Sequence, residues 1–480
     1  MDQQSEGIVY KLAESLGSAD AAVRLILSLL AGYPLAFAYR LFVHGKSPTA
    51  QHLFFIATGL ALGYFNFGLT TVHSLANTVL VWLLIRLLGG SASGVVAAFI
   101  LNNVYLLIGY FNMTTDGYDI SWTIPHCVIT LRLTGTMFDL YDGRKKESEL
   151  SVDQKKTALY QSPSLLELLG HVYYFGGFLV GPTFNMKRYL SFVNGEYTEQ
   201  KGPPNNLYEA GKRLLAGVWY IATFQAMSSL FFTDQYMLSQ QFHNLSFLAK
   251  CAYILVWGKL NISKYVGVWL IGEGSCILTG LTYNGKDKNG NVLWDGCSNA
   301  HIYTFESSAT FRELISGFNV NTNNWMARYI FKRLRFLGNV QISQVVTLLY
   351  LAVWHGLHSG YYMNFFLEFI MINGETQLAG VIRQFPGLQA ILSGALLRPL
   401  VWFVKKTLLL FFVGYALVSF VHLKWSRYSQ VYGSVYYVGH VIFLVLPFLC
   451  LLVRLLVRSP SKRDTNGASV KEPADDKKTS

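Results

Sequence analysis

The run "YLAVWHGLHSGYYMNF", residues 350–365, lies inside an apolar segment and yet carries two histidines three positions apart. Read as part of one helix over 341–372, Gln344, Thr347, Leu351, His355, His358, Ser359 and Tyr362 fall on one face at steps of three or four. The opposite face carries Val346, Leu349, Val353 and Leu357. A polar stripe on an apolar span does not face lipid. It lines a protein interior, and an ionisable side chain at that depth is a candidate for function. Histidine is also the side chain suited to moving protons near neutral pH. The stripe by itself predicts a proton-handling cavity, which an enzyme or a transporter would both use. Gly356 and Gly360, four positions apart on a neighbouring face, predict close helix packing.

Working outward, only 14% of the 480 residues are charged and 52% are hydrophobic, where a soluble domain carries about a quarter charged residues. Apolar blocks recur along the chain, each long enough to cross a hydrocarbon core about 30 Å thick. They predict an all-α polytopic membrane protein with about ten to eleven transmembrane helices. Residues 1–20 form an N-terminal segment without a cleavable signal pattern. Residues 21–457 hold the membrane domain, and 458–480 read as a disordered polar tail. Five cysteines stand apart at 127, 251, 276, 297 and 450 with no CxxC pair, which argues against a disulfide framework and against a metal site. The net charge of +12 is gathered in loops, as the bias of cytosolic loops toward Lys and Arg requires. Nothing resembles a nucleic-acid module, and no internal repeat argues for a transporter built from two halves. Three Asn-X-Ser/Thr sequons occur, at Asn112, Asn244 and Asn261.

Between 284 and 340 the membrane pattern gives way to a polar region rich in turn signals. Its second half, "FESSATFRELISGFNVNTNNWMARYIFKRLRFLGN" (305–339), shows short helical periodicities with basic residues between apolar ones. These predict short amphipathic helices rather than spans.

Four blocks in order carry a resemblance over most of the chain. They are "DGYDISWTIPHCVITLRLTGTMFDLYDG" (116–143), "FLVGPTFNMKRYLSF" (178–192), "NTNNWMARYIFKRLRFLGN" (321–339) and "LAVWHGLHSGYY" (351–362). Together they resemble the membrane-bound O-acyltransferase (MBOAT) family, in its lysophosphatidylcholine acyltransferase branch. The resemblance implies a helical bundle around an internal catalytic chamber. It implies acyl transfer from acyl-CoA, as co-substrate and with no bound cofactor, to the free hydroxyl of a lysophospholipid in phospholipid remodelling. Lysophosphatidylcholine is the first acceptor expected, with ethanolamine and serine lysolipids beside it and a polyunsaturated donor. Acylation of another lipid or of a secreted protein is the alternative within the family.

The family's histidine corresponds to His355, and its asparagine to Asn319, which stands six residues before Trp325 and 36 before the histidine. Asn321 is the other candidate in the same stretch. In this reading His355 takes the proton of the acceptor hydroxyl. Asn319 stabilises the oxyanion or positions the acceptor, and His358 supports the site from beside it. No serine or cysteine is placed next to a base, so direct transfer within a ternary complex is expected. Arg328, Lys332, Arg333 and Arg335 either hold the CoA phosphates or only fix topology. The terminal "KKTS", with Lys477 and Lys478 third and fourth from the end, matches the dilysine retrieval pattern of endoplasmic-reticulum membrane proteins and requires a cytosolic C-terminus.

Overall fold

The computed structural model describes residues 7–115, 117, 120–197 and 204–457. The sequence's Lys477 and Lys478 lie outside them. Among the described residues the chain is helical, with two isolated β-bridges and no strand. Eleven helices have 16 or more residues: α1 (Asp20–Ala38), α2 (Pro48–Phe67), α3 (Val72–Leu88), α4 (Ala92–Met113), α5 (Thr123–Gly143), α6 (Leu207–Leu230), α7 (Phe247–Thr279), α8 (Val340–His355), α9 (Ser359–Ile382), α10 (Arg398–His422) and α11 (Val438–Val457). Helix starts follow the sequence. Ser47, Ser91 and Ser246 each precede an apolar run, and each hydroxyl accepts the backbone N–H three residues on.

Seven stretches among the described residues are long and apolar enough to cross a membrane, and one of these, Pro48–Leu88, contains both α2 and α3. Bare Leu, Ile and Trp side chains mark their outer faces, among them Leu87, Ile108, Trp219 and Leu455. Hydrocarbon can cover such a surface, since the backbone polar groups are paired within each helix. α5 and α7 fall outside this set because they are enclosed by protein. α5 buries Thr130, Arg132, Thr134, Asp139 and Asp142, and α7 buries Asn261, Glu273 and Thr279. An enclosed helix can carry polar groups wherever partners meet them. One such ladder runs across three helices: the Asn77 amide donates to Asn102 at 2.8 Å, and Asn102 donates to Thr134 at 3.2 Å.

α7 is the axis of the bundle, packed by α1, α6 and α10, while α9 lies against α8, α10 and α11. The polar region before α8 folds into the expected short helices, Ile302–Ser307, Phe311–Gly317 and Val320–Tyr329, followed by a tight turn of helix over Phe331–Leu337.

The 341–372 segment differs from the expectation of one continuous helix. α8 ends at His355, and α9 starts at Ser359. Gly356 has φ 141°, where an L side chain is strained, so the chain breaks directly after the histidine. Gly360 presses its backbone on α10; a Cβ there would stand 2.0 Å from the Ser419 carbonyl oxygen. The two glycines therefore do separate work, one turning the chain and one allowing close approach. In the first half Thr347 and Leu351 are buried as expected, but Ser343 takes the buried place expected of Gln344, which is half-buried; Val345, Val346 and Leu349 are bare. His358 belongs to the break and not to that stripe.

Candidate active site

Two tryptophans dock distant segments onto successive turns of α5. The Trp354 indole N–H donates to the Cys127 carbonyl at 3.0 Å, and the Trp325 indole N–H donates to the Leu131 carbonyl at 2.9 Å. Residues 127 and 131 are one helical turn apart. The end of α8 and the helix Val320–Tyr329 are thereby fixed side by side. Tyr110 closes the first anchor, its hydroxyl donating to the Trp354 carbonyl at 2.9 Å. Tyr329 closes the second with a 2.8 Å bond to buried Asp139.

His355 is the last residue of α8, where the helix gives way to the turn at Gly356. Aromatic neighbours hold it. Phe365 stacks at 5.4 Å between centroids, Tyr361 lies at 5.7 Å, and Phe420 and Trp354 meet it edge-on at 5.1 and 4.7 Å. Such a cage fixes the ring plane without occupying either ring nitrogen.

Asn319 caps the helix Val320–Tyr329 in the left-handed conformation, φ 51° and ψ 42°, a region Asn tolerates better than most residues. A buried carboxylate lies behind it. Glu273 of α7 accepts the Asn299 and Ala300 backbone N–H groups at 2.6 and 3.1 Å and the Ser298 hydroxyl at 3.3 Å, with the Arg213 guanidinium 3.6 Å away. That clamp sets Asn299, whose side-chain oxygen accepts the Asn321 backbone N–H at 2.9 Å. The Asn299 amide then donates to the Asn319 side-chain oxygen at 3.4 Å. With its oxygen engaged, Asn319 has its NH2 left to donate. Asn321 is placed differently: its own amide donates to the Cys297 carbonyl at 3.0 Å.

His355 and Asn319 line one mainly apolar cavity of about 490 Å³, with Asn299, Asn321 and Thr322 on the same wall. His355 also lines a second space of about 150 Å³ with Tyr110, His358 and Tyr361. His358 lines this second space and not the main cavity. A third cavity of about 460 Å³ shares Leu131, Thr183 and Asn321 with the first and is strongly polar. Arg132, Lys156, Lys187, Arg188 and Arg328 line it.

Of the basic cluster predicted to meet CoA, only Arg328 reaches this polar cavity. Arg333 instead forms a two-pronged pair with buried Asp142, at 2.9 Å for its longer contact, and Lys332 pairs with Asp153. Lys332 holds the Asp153 carboxyl below the usual carboxylate range. Arg335 is exposed. Lys332 and Arg333 therefore fasten the turn Phe331–Leu337 to the short helix Val152–Thr157 and to the end of α5. Sequence reading missed Lys156, Lys187 and Arg188, which come from two short helices, Val152–Thr157 and Met186–Val193, far from Asn319 in the chain. Arg132 was missed too. It is buried, donates to the carbonyls of His171, Val172, Gly177 and Pro182, and lies 4.4 Å from the Phe184 ring. Only the polar character of α5 hinted at it.

The membrane-bound O-acyltransferase family model matches residues 107–415, which include every one of these anchors. The chain belongs to this family, and it is an acyltransferase. It is 45% identical to lysophospholipid acyltransferase 5 of Mus musculus over 92% of this chain and 90% of that protein. It is 44% identical to the Homo sapiens protein of the same name over 92% and 90%. Lysophospholipid acyltransferase 5 of Caenorhabditis elegans is 37% identical over 98% of this chain and 99% of its own length.

Proposed function

We propose that this protein transfers a fatty acyl group from acyl-CoA to the free hydroxyl of a lysophospholipid. The observation that carries the reading is that His355 and Asn319, 36 residues apart, meet in one apolar chamber that adjoins a basic, polar cavity. The names of its relatives support the substrate class. Acyl-CoA needs both environments at once: a polyanionic head in a basic cavity and a fatty chain among apolar helices. Arg328, with Lys156, Lys187 and Arg188, supplies the first.

The chemistry follows from the placement. An alcohol is a weak nucleophile until its proton is taken, and the uncharged His355 ring accepts that proton as the oxygen attacks the thioester carbonyl. Charge develops on the carbonyl oxygen, and the Asn319 NH2 is placed to donate to it. Loss of the CoA thiolate, which takes up the proton, leaves the ester. The Asn299–Glu273 clamp keeps the Asn319 amide in the donating orientation throughout. His358 lines the smaller space beside the base and supports the site from there.

The acceptor set proposed is lysophosphatidylcholine with lysophosphatidylethanolamine and lysophosphatidylserine. Residence in the endoplasmic reticulum with a cytosolic C-terminus rests on Lys477 and Lys478. The test is purified protein given a panel of lysolipids and acyl-CoAs, with products read by mass spectrometry. Diacyl phospholipid is expected from wild type and not from His355→Ala. A panel in which no lysolipid is acylated overturns the reading.

A further inference from the structure

The chamber that holds His355 has one charged side chain among its described lining residues, Lys264 of α7. A lone ammonium deep among membrane helices is costly unless something anionic meets it. No carboxylate of the described residues forms an ion pair with it. Its one hydrogen bond is to the Asn261 side-chain oxygen at 3.0 Å, and Asn261 is itself held by donating to the Trp257 carbonyl at 3.1 Å. The ammonium also faces the rings of Phe224 at 5.1 Å and Tyr265 at 5.3 Å. Two of its three N–H groups are left for a ligand. The group is thus positioned, half-buried and without an ion pair, on the wall of the chamber, with the Asp234 carboxylate acting on it only through space.

Its location matches one part of an acceptor. Tyr265, the next residue, packs against the cluster of Tyr361, Phe420 and Leu423. Phe420 in turn touches the His355 ring. On the other side of Lys264, Phe224 and Gln225 of α6 and Leu16 of the N-terminal segment continue the lining, with the Gln225 amide donating to the Leu16 carbonyl at 3.0 Å. The basic residues suited to CoA line the separate polar cavity, reached past Asn321 and Thr183.

We propose that Lys264 binds the phosphodiester of the acceptor lysophospholipid, holding it so that its free hydroxyl faces His355. This rests on the function proposed above and adds a recognition element to it. The shared chemistry is a phosphate ester, and the anions available are the lysolipid phosphodiester and the phosphates of CoA. A lysolipid carries its hydroxyl and its phosphate on one glycerol, so fixing the phosphate removes most of the freedom of the nucleophile. The same anchor discriminates by charge: an acylglycerol without phosphate leaves the ammonium buried and unpaired.

The experiment compares wild type, Lys264→Met and Lys264→Arg in lipid nanodiscs, with lysophosphatidylcholine, monoacylglycerol and acyl-CoA each varied. Loss of one charge-assisted hydrogen bond is worth about ten- to hundredfold. Lys264→Met is expected to raise the lysophosphatidylcholine KM by about that factor and to leave the acyl-CoA KM within about twofold. Its preference for lysophosphatidylcholine over monoacylglycerol should fall by the same factor, and Lys264→Arg should recover most of it. A rise confined to the acyl-CoA KM overturns the proposal and assigns the ammonium to CoA. A fall in kcat alone, equal for both acceptors and not restored by Arg, overturns it in favour of a packing role. Wild type that never acylates lysophosphatidylcholine defeats the proposed function itself; wild type that does so while Lys264→Met keeps its acceptor preference defeats only this inference.

Discussion

Replacing Asn319 by Gly, Ala and Asp separates its backbone role from its chemistry. The residue sits at φ 51° and ψ 42°. Ala in that conformation costs roughly 1–2 kcal/mol through the contact of its Cβ with the carbonyl oxygen, whereas Gly has no such contact. Gly instead widens the unfolded ensemble, which costs about 0.4–1 kcal/mol. Ala is thus expected to be no more stable than Gly, and both should remain folded. The side-chain amide is a different matter. If its NH2 donates to the developing oxyanion, either truncation lowers kcat by about a hundred- to a thousandfold, or roughly 2.7–4 kcal/mol. Asp is the informative third variant, since its carboxylate can still accept from the Asn299 amide now 3.4 Å away but has no N–H to give. Its kcat should be as low as that of Gly. The assay is turnover at saturating acyl-CoA and lysolipid, normalised to folded protein by thermal unfolding of the same preparations. A Gly or Asp variant that turns over within about tenfold of wild type would refute the assignment, because neither retains a donor at that position.

The remaining expectations concern neighbouring groups. His355→Ala should abolish turnover, while His358→Ala, in the smaller space outside the main cavity, should retain most of it; the reverse result, measured by product formation, would exchange their roles. Asn299→Asp replaces the donor to Asn319 with an acceptor, so the Asn319 amide turns its NH2 inward and kcat should fall toward that of Asn319→Gly with little change in either KM. Arg328→Gln should raise the acyl-CoA KM, and added salt should weaken wild type more than this variant, whereas Lys332→Gln should leave both unchanged. Arg333→Gln should lower stability by about 1–3 kcal/mol, read by thermal unfolding, because it leaves Asp142 buried with weaker partners.

The fold was legible where apolar side chains meet lipid, because there composition reports position directly. α11 and α4 are readable from hydropathy alone, while α5 and α7 carry charges that a span facing lipid could not tolerate. Their burial depends on partners supplied by distant segments: Arg132 of α5 needs carbonyls from the 171–182 region, and Glu273 of α7 needs the backbone of 299 and 300. No local pattern announces such pairing. The break after His355 was overlooked for a related reason. Gly356 and Gly360 at helical spacing read equally well as a packing motif, and only the positive φ at the first distinguishes a chain reversal.

At the site, the pair His355 and Asn319 was visible through the motifs around them, and what made those motifs informative was their tryptophans. Trp325 and Trp354 each give up an indole N–H to a carbonyl of α5, and this is why the spacing of asparagine to tryptophan carries positional information at all. The cationic surface was not visible in the same way. Charges close in sequence to Asn319 were the natural choice for phosphate contacts, yet Asp153 captures Lys332 and Asp142 of α5 captures Arg333, and of that cluster the polar cavity takes Arg328 alone, drawing its other basic residues from elsewhere. Lys264 was the hardest of all to read. One of three lysines in a 33-residue helix gives no sign of its role until the helix is seen to pass through the chamber wall, where its environment gives it one amide oxygen, two aromatic faces and no ion pair. It is the missing ion-pair partner, and not the residue itself, that turns this lysine into a binding group.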